Sequence, residues 1–101
     1  MSKVYVLTHY EEDSPSKPEY SDMVMQHSYY VIDAVFESRK AAIKRLHEII
    51  KEWRNHPNYE ANCVEEYFSI REGWPSKFEF TFIDGRYCEQ YCYQVTEMEV
   101  K

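Results

Sequence analysis

The stretch Tyr29–Arg54, YYVIDAVFESRKAAIKRLHEIIKEWR, constrains the fold most, because its hydrophobic period changes partway along. Tyr30, Ile32, Ala34 and Phe36 alternate with Val31, Asp33, Val35 and Glu37, the two-residue period of a strand with one wholly apolar face. After Ser38 the spacing becomes helical: Ala42, Leu46, Ile49 and Trp53, flanked by Ile43 and Ile50, form a single stripe. Ser38 is the expected N-cap, its hydroxyl accepting a free backbone N–H of the first turn. A striped helix must bury that stripe on another layer, so this segment calls for a sheet with a helix against it.

The rest of the chain supplies the other strands. Lys3–Tyr10 carries Val4, Val6 and Thr8 on one side and Tyr5, Leu7 and His9 on the other, which predicts a central strand. Residues 11–22, EEDSPSKPEYSD, hold two prolines and five acids and are expected to form a mobile acidic loop. Asn55-His56-Pro57-Asn58 ends the helix. Val64, Tyr67, Phe68 and Arg71 suggest a second short helix over residues 59–72, with a strand over Val64–Ile70 as the other reading. Gly73-Trp74-Pro75 breaks the chain. Phe78, Phe80 and Phe82 then alternate up to Asp84-Gly85, a two-residue hairpin turn leading into a last strand. One-for-one pairing sets Phe82 opposite Tyr87, Phe80 opposite Glu89 and Phe78 opposite Tyr91. The later switch of alternation to Met98 and Val100 predicts a bulge at Thr96–Glu97. The expected class is α+β: a small, mainly antiparallel sheet, one long amphipathic helix packed on one face, a second short helix and a C-terminal hairpin.

With 101 residues the chain is expected to be a single domain, 1–101. It has 12 basic and 18 acidic residues, a net charge of -6, so the molecule as a whole repels phosphate backbones. The charge is divided unevenly. Arg39–Arg54 carries six basic and two acidic residues, leaving 6 basic against 16 acidic elsewhere. No apolar run reaches the roughly 20 residues of a membrane span, and MSKVYVLTHY is not a signal sequence, so a cytoplasmic protein is expected. Three cysteines, Cys63, Cys88 and Cys92, suggest reduced thiols in a reducing compartment.

Catalytic and metal chemistry find little support. Cys88 and Cys92, four positions apart on a strand, would lie roughly 13 Å from each other, too far to share a zinc ion. Cys63, near His56, lacks the other members of a nucleophile's constellation. Two glycines make no phosphate loop. Phe78, Phe80, Phe82, Tyr87, Tyr91 and Tyr93 would suit a base-stacking platform, but Glu79, Asp84 and Glu89 among them oppose it. No enzyme activity, metal, cofactor or direct nucleic-acid binding is expected.

Four segments together resemble a family of short uncharacterised bacterial and bacteriophage proteins: Val4-Tyr5-Val6-Leu7-Thr8-His9, Glu19-Tyr20-Ser21-Asp22, the run from Ile32 to Ala42, and Gln94–Val100. In that family a strand, an acidic turn, a strand ending Ala-Val-Phe, a helix and a final strand make up the protein. The resemblance implies a small accessory protein carried by a phage or mobile element, with residues 55–90 as an insertion ahead of the last strand. The expected function is accordingly a non-enzymatic protein-binding module that inhibits a host nucleic-acid-handling or defence protein, as anti-CRISPR and anti-restriction proteins do. Its partner would present a basic surface in the host cytoplasm, with no membrane involved. The candidate partner-binding residues are Glu11, Glu12, Asp13, Glu19, Tyr20 and Asp22 on the loop, and Glu65, Glu66 and Tyr67 in the insertion. The alternative is a small-ligand-binding accessory protein, monomeric or oligomeric, with an aromatic-lined pocket.

Overall fold

The computed structural model describes residues 2–100. Five strands, β1 (Ser2–Pro15), β2 (His27–Phe36), β3 (Cys63–Arg71), β4 (Trp74–Asp84) and β5 (Tyr87–Val100), form one antiparallel sheet in the order β2-β1-β5-β4-β3. Two helices, α1 (Arg39–Arg54) and α2 (Tyr59–Asn62), and a 3-10 turn at Pro18–Tyr20 complete it.

This architecture overturns the expected α+β class. Strands take 59% of the described residues, and among these α1 is the only helix of seven residues or more. The sheet therefore organises the molecule, and the helix does not. At about 1.5 Å per residue α1 is roughly 24 Å long, while the 14 residues of β1 extend to roughly 46 Å, about twice the span the helix can cover.

Several local expectations change with it. Residues 11–22 are not one loop: Glu11–Pro15 belongs to β1, which pairs with β5 in unbroken register from Ser2–Val100 to Pro15–Tyr87. That long ladder satisfies backbone groups which polar composition alone had assigned to solvent. Residues 59–72 are helical only over α2, Tyr59–Asn62, and then form β3, the strand that was the other reading of Val64–Ile70. The β3–β4 hairpin turns at Glu72 and Gly73, both at positive φ (51° and 84°), as a type I′ turn requires. Glutamate rarely adopts that conformation, so the turn was hidden. Residues 55–90 supply α2, β3, β4 and the start of β5, and with them five of the seven buried core aromatics. Pro75 sits in β4 beside a register shift and beyond the last β4–β5 pair, Lys77–Gln94, where its missing N–H is tolerated.

The hairpin at Asp84-Gly85 turns one residue later than expected. Gly85, at φ 61°, and Arg86 occupy the loop, so Asp84 pairs with Tyr87. Phe82 then lies opposite Glu89, Phe80 opposite Tyr91 and Phe78 opposite Tyr93. No bulge occurs at 96–97; Met98 simply belongs to the other face, opposite Val4. The bulge is in β2, where Leu7 pairs with Ala34 and Thr8 with Ile32, leaving Asp33 unmatched. It splits the apolar set read as one face: Ala34 goes with Leu7, and Ile32 with Thr8.

The main core cluster lies on one face; on the other, Val6 and Thr8 of β1 are also buried. Tyr5 and Leu7 of β1, Phe78, Phe80 and Phe82 of β4, and Tyr93 and Val95 of β5 are buried together with Ala42, Leu46, Ile49 and Ile50 of α1 and Tyr59 of α2. Ser38 caps α1, its Oγ accepting the Ala41 N–H at 3.1 Å. Trp53 Nε1 donates to Tyr93 Oη at 2.9 Å, so both polar tips are satisfied inside the aromatic cluster.

Candidate functional site

The residues that alternate with this core form the opposite face, and neither helix packs on it. Cross-strand partners share a face, so the ladders define rows running across the sheet. Val35, Val6 and Thr96 form one row, then Ile32, Thr8, Gln94, Lys77 and Ser69. The next row is Tyr30, Tyr10, Cys92, Glu79 and Tyr67, followed by Ser28, Glu12, Gln90, Thr81 and Glu65. Large apolar side chains are left in water there: Tyr30 is 64% exposed, Ile32 63%, Val35 59%, Tyr67 57% and Met98 51%. A monomer rarely leaves such a set uncovered on one surface.

The chemistry of these rows is acidic and phenolic. Glu12, Glu65 and Glu79 lie among three tyrosines, and the single lysine, Lys77, is held 3.2 Å from Glu79. Tyr10 Oη donates to Glu12 Oε2 at 2.8 Å, and that bond, the largest cause, raises the phenol's pKa and fixes the ring in place. Tyr10, Tyr67, Glu65, Glu79 and Gln90 enclose a depression of about 170 Å³. This is smaller than the roughly 300 Å³ at which small-molecule sites begin, and suits one inserted side chain. Its aromatic walls and carboxylates would receive a lysine or arginine, through ring faces and ion pairs together.

The candidate partner-binding residues divide between the two faces. Glu12, Glu65 and Tyr67 come together on the open face, in rows that join β1 to β3 across the sheet. Glu11 and Asp13 lie on the covered side: Glu11 Oε1 is 2.9 Å from His9 Nε2, though out of line for a hydrogen bond, and Asp13 Oδ2 is 2.9 Å from His27 Nε2. Glu66 is engaged by the Arg54 guanidinium at 2.6 Å and by the Tyr59 hydroxyl. Burial would raise its pKa, but these two donors outweigh burial and lower it. Glu19 and Tyr20 lie in the 3-10 turn, with Arg86 5.9 Å from the centre of the Tyr20 ring, and Asp22 follows in the next turn. Sequence reasoning missed Tyr30 and Ile32, whose alternation with Ala34 and Phe36 reads as one buried face, and also Val35 and Met98, which no charge or motif marks. β2 is in fact an edge strand, and only the sheet order shows it.

Phe78, Phe80 and Phe82 are buried in the core and offer no stacking platform. Cys63, Cys88 and Cys92 are free thiols, and burial pushes the Cys92 thiol up, away from the thiolate a nucleophile requires. Among the described residues no group of three or more His, Cys, Asp or Glu is placed to hold a metal ion, and no helix is long and apolar enough to cross a membrane. Comparison with family models, with curated proteins and with solved structures finds no match to this chain.

Proposed function

We propose that this chain is a non-enzymatic protein-binding module that docks the open face of its sheet onto a basic surface of another protein, as an inhibitor of a nucleic-acid-handling or defence protein would. One observation carries the reading: the uncovered face combines exposed apolar side chains with acids and tyrosines around a depression the size of one side chain. Apolar and aromatic groups supply the affinity of an interface, and a single sign of charge supplies its selectivity. A surface of carboxylates opposite a basic groove occupies the place of a phosphate backbone, so nucleic acid and this protein would compete. The resemblance of the strand and helix edges to short phage proteins supports the same reading.

The test is retention of proteins from bacterial lysate on the immobilised chain, beside a Glu12→Lys, Glu65→Lys, Tyr67→Ala triple variant. The expected result is a nucleic-acid-binding protein that heparin displaces and the variant does not retain. A retained set that the variant leaves unchanged, or that heparin does not displace, would sink the proposal.

A further inference from the structure

A second site lies on the covered side, between the C-terminal half of α1 and the β3–β4 hairpin. It is a cleft of about 470 Å³, within the range of small-molecule sites. Ile50, Phe68 and Pro75 make its apolar floor, and His47, Lys51 and Arg54 stand around it. No carboxylate lines it, in a chain of net charge -6.

The three basic groups are not equivalent. Arg54 is already engaged: its guanidinium lies 5.3 Å from the centre of the Phe68 ring and donates to Glu66. The ion pairs of α1 join Arg39, Arg45 and Arg54 to Glu97, Glu48, Glu52 and Glu66. Among the described residues Lys51 is in none of them, and its ammonium is the uncompensated charge of the cleft. The site continues along the helix into a groove of about 430 Å³, where Lys40 and Lys44 repeat the pattern beside Ile43. The one acid there, Glu48, is held by Arg45 at 3.4 Å.

We propose that this cleft binds a small amphipathic anion, with a carboxylate or phosphate monoester against Lys51 and His47 and an aromatic or aliphatic body on Ile50 and Phe68. The two halves of the site require both halves of such a ligand. A bare anion would leave the half-exposed Phe68 ring in water, and an uncharged apolar molecule would desolvate Lys51 without compensation. Phe68 lies opposite Phe78, on the covered face, so the site is independent of the open face.

The probe is anilinonaphthalene sulfonate, an aromatic anion that fluoresces when its rings leave water, titrated into the full chain. Saturable binding at one site is expected. Lys51→Glu should weaken it about tenfold or more, which corresponds to about 1.4 kcal/mol, while Lys51→Arg retains it. Ile32→Glu, on the open face, should leave the affinity unchanged. Displacement of the dye by decanoate identifies a carboxylate ligand, and displacement by adenosine monophosphate a phosphate one. The proposal is overturned if Lys51→Glu binds the dye as the parent does, if Ile32→Glu abolishes binding, or if neither competitor displaces it.

Discussion

The two faces of the sheet are built from alternate residues of the same strands, yet they answer to different demands. On the covered face Leu7, Phe78, Phe80 and Val95 are fully buried against Leu46 of the helix, and the Trp53 and Tyr93 polar tips are paired with each other. On the open face, one residue along each strand, Tyr30, Ile32, Val35 and Tyr67 stand in water with acids between them. Val6 and Thr8 in the same rows are buried, but the larger apolar side chains around them are not. The contrast teaches that a strand's apolar content says little about its role until the covering layer is known. One face stabilises this molecule, and the other is available to a second.

The comparison breaks most readily at Phe78. Phe78→Ala should cost about 3–5 kcal/mol in urea unfolding, because it opens a cavity among close-packed rings. Ile32→Ala on the open face should stay within about 0.5 kcal/mol. Comparable losses at the two positions would show the open face to be part of the core. Ile32→Lys sharpens the same contrast from the other side: its melting temperature should match the parent's while any partner captured by the open face is lost.

A smaller effect is expected at the Trp53–Tyr93 hydrogen bond. Tyr93→Phe leaves the Trp53 N–H without its acceptor and should cost about 1–3 kcal/mol by the same unfolding measurement. Burial, the dominant cause, pushes the Tyr93 phenol up to about 12. A folded pKa above the unfolded value near 10 means the folded state holds the proton more tightly. The resulting stabilisation is complete below about pH 10 and is lost as pH rises through about 12. Melting temperature should therefore fall over that window, and less steeply in Tyr93→Phe. An equal slope in both proteins would assign the alkaline loss to Tyr59 and Tyr91, whose phenols burial also raises. The smallest effect concerns neither face. Glu72→Asn relieves a glutamate at positive φ in the β3–β4 turn and should raise stability by about 0.5–1 kcal/mol, read as a higher urea midpoint.

Local chemistry made parts of this fold legible. Ser38 and the Ala42-Leu46-Ile49 spacing located α1, since capping and amphipathicity act within a few residues of each other. Asp84-Gly85 located a hairpin, although Gly85 took the first loop position and moved every cross-strand pair. Glu11–Pro15 was misread, and residues 63–71 were left between helix and strand, for one reason: polar or mixed segments become strands when a ladder supplies their hydrogen bonds, and composition does not show the ladder. Of the candidate site, Glu12, Glu65 and Tyr67 were named, but together with Glu11, Asp13 and Glu66, which turn to the other side. Strand parity sets that division, and it is known only once register is known.

By itself, then, the sequence determined that a strand feeds a capped amphipathic helix, that a late hairpin exists, and that acids far outnumber bases outside the helix. Each of these depends on interactions between near neighbours or on charge alone. The tertiary structure decided the order β2-β1-β5-β4-β3, the bulge at Asp33 that divides the apolar set of β2, and which face of the sheet the helix covers. Those depend on pairing between strands as far apart as β1 and β5, where the choice of partner and register, and not local propensity, determines which side chains are buried and which are left to meet another molecule.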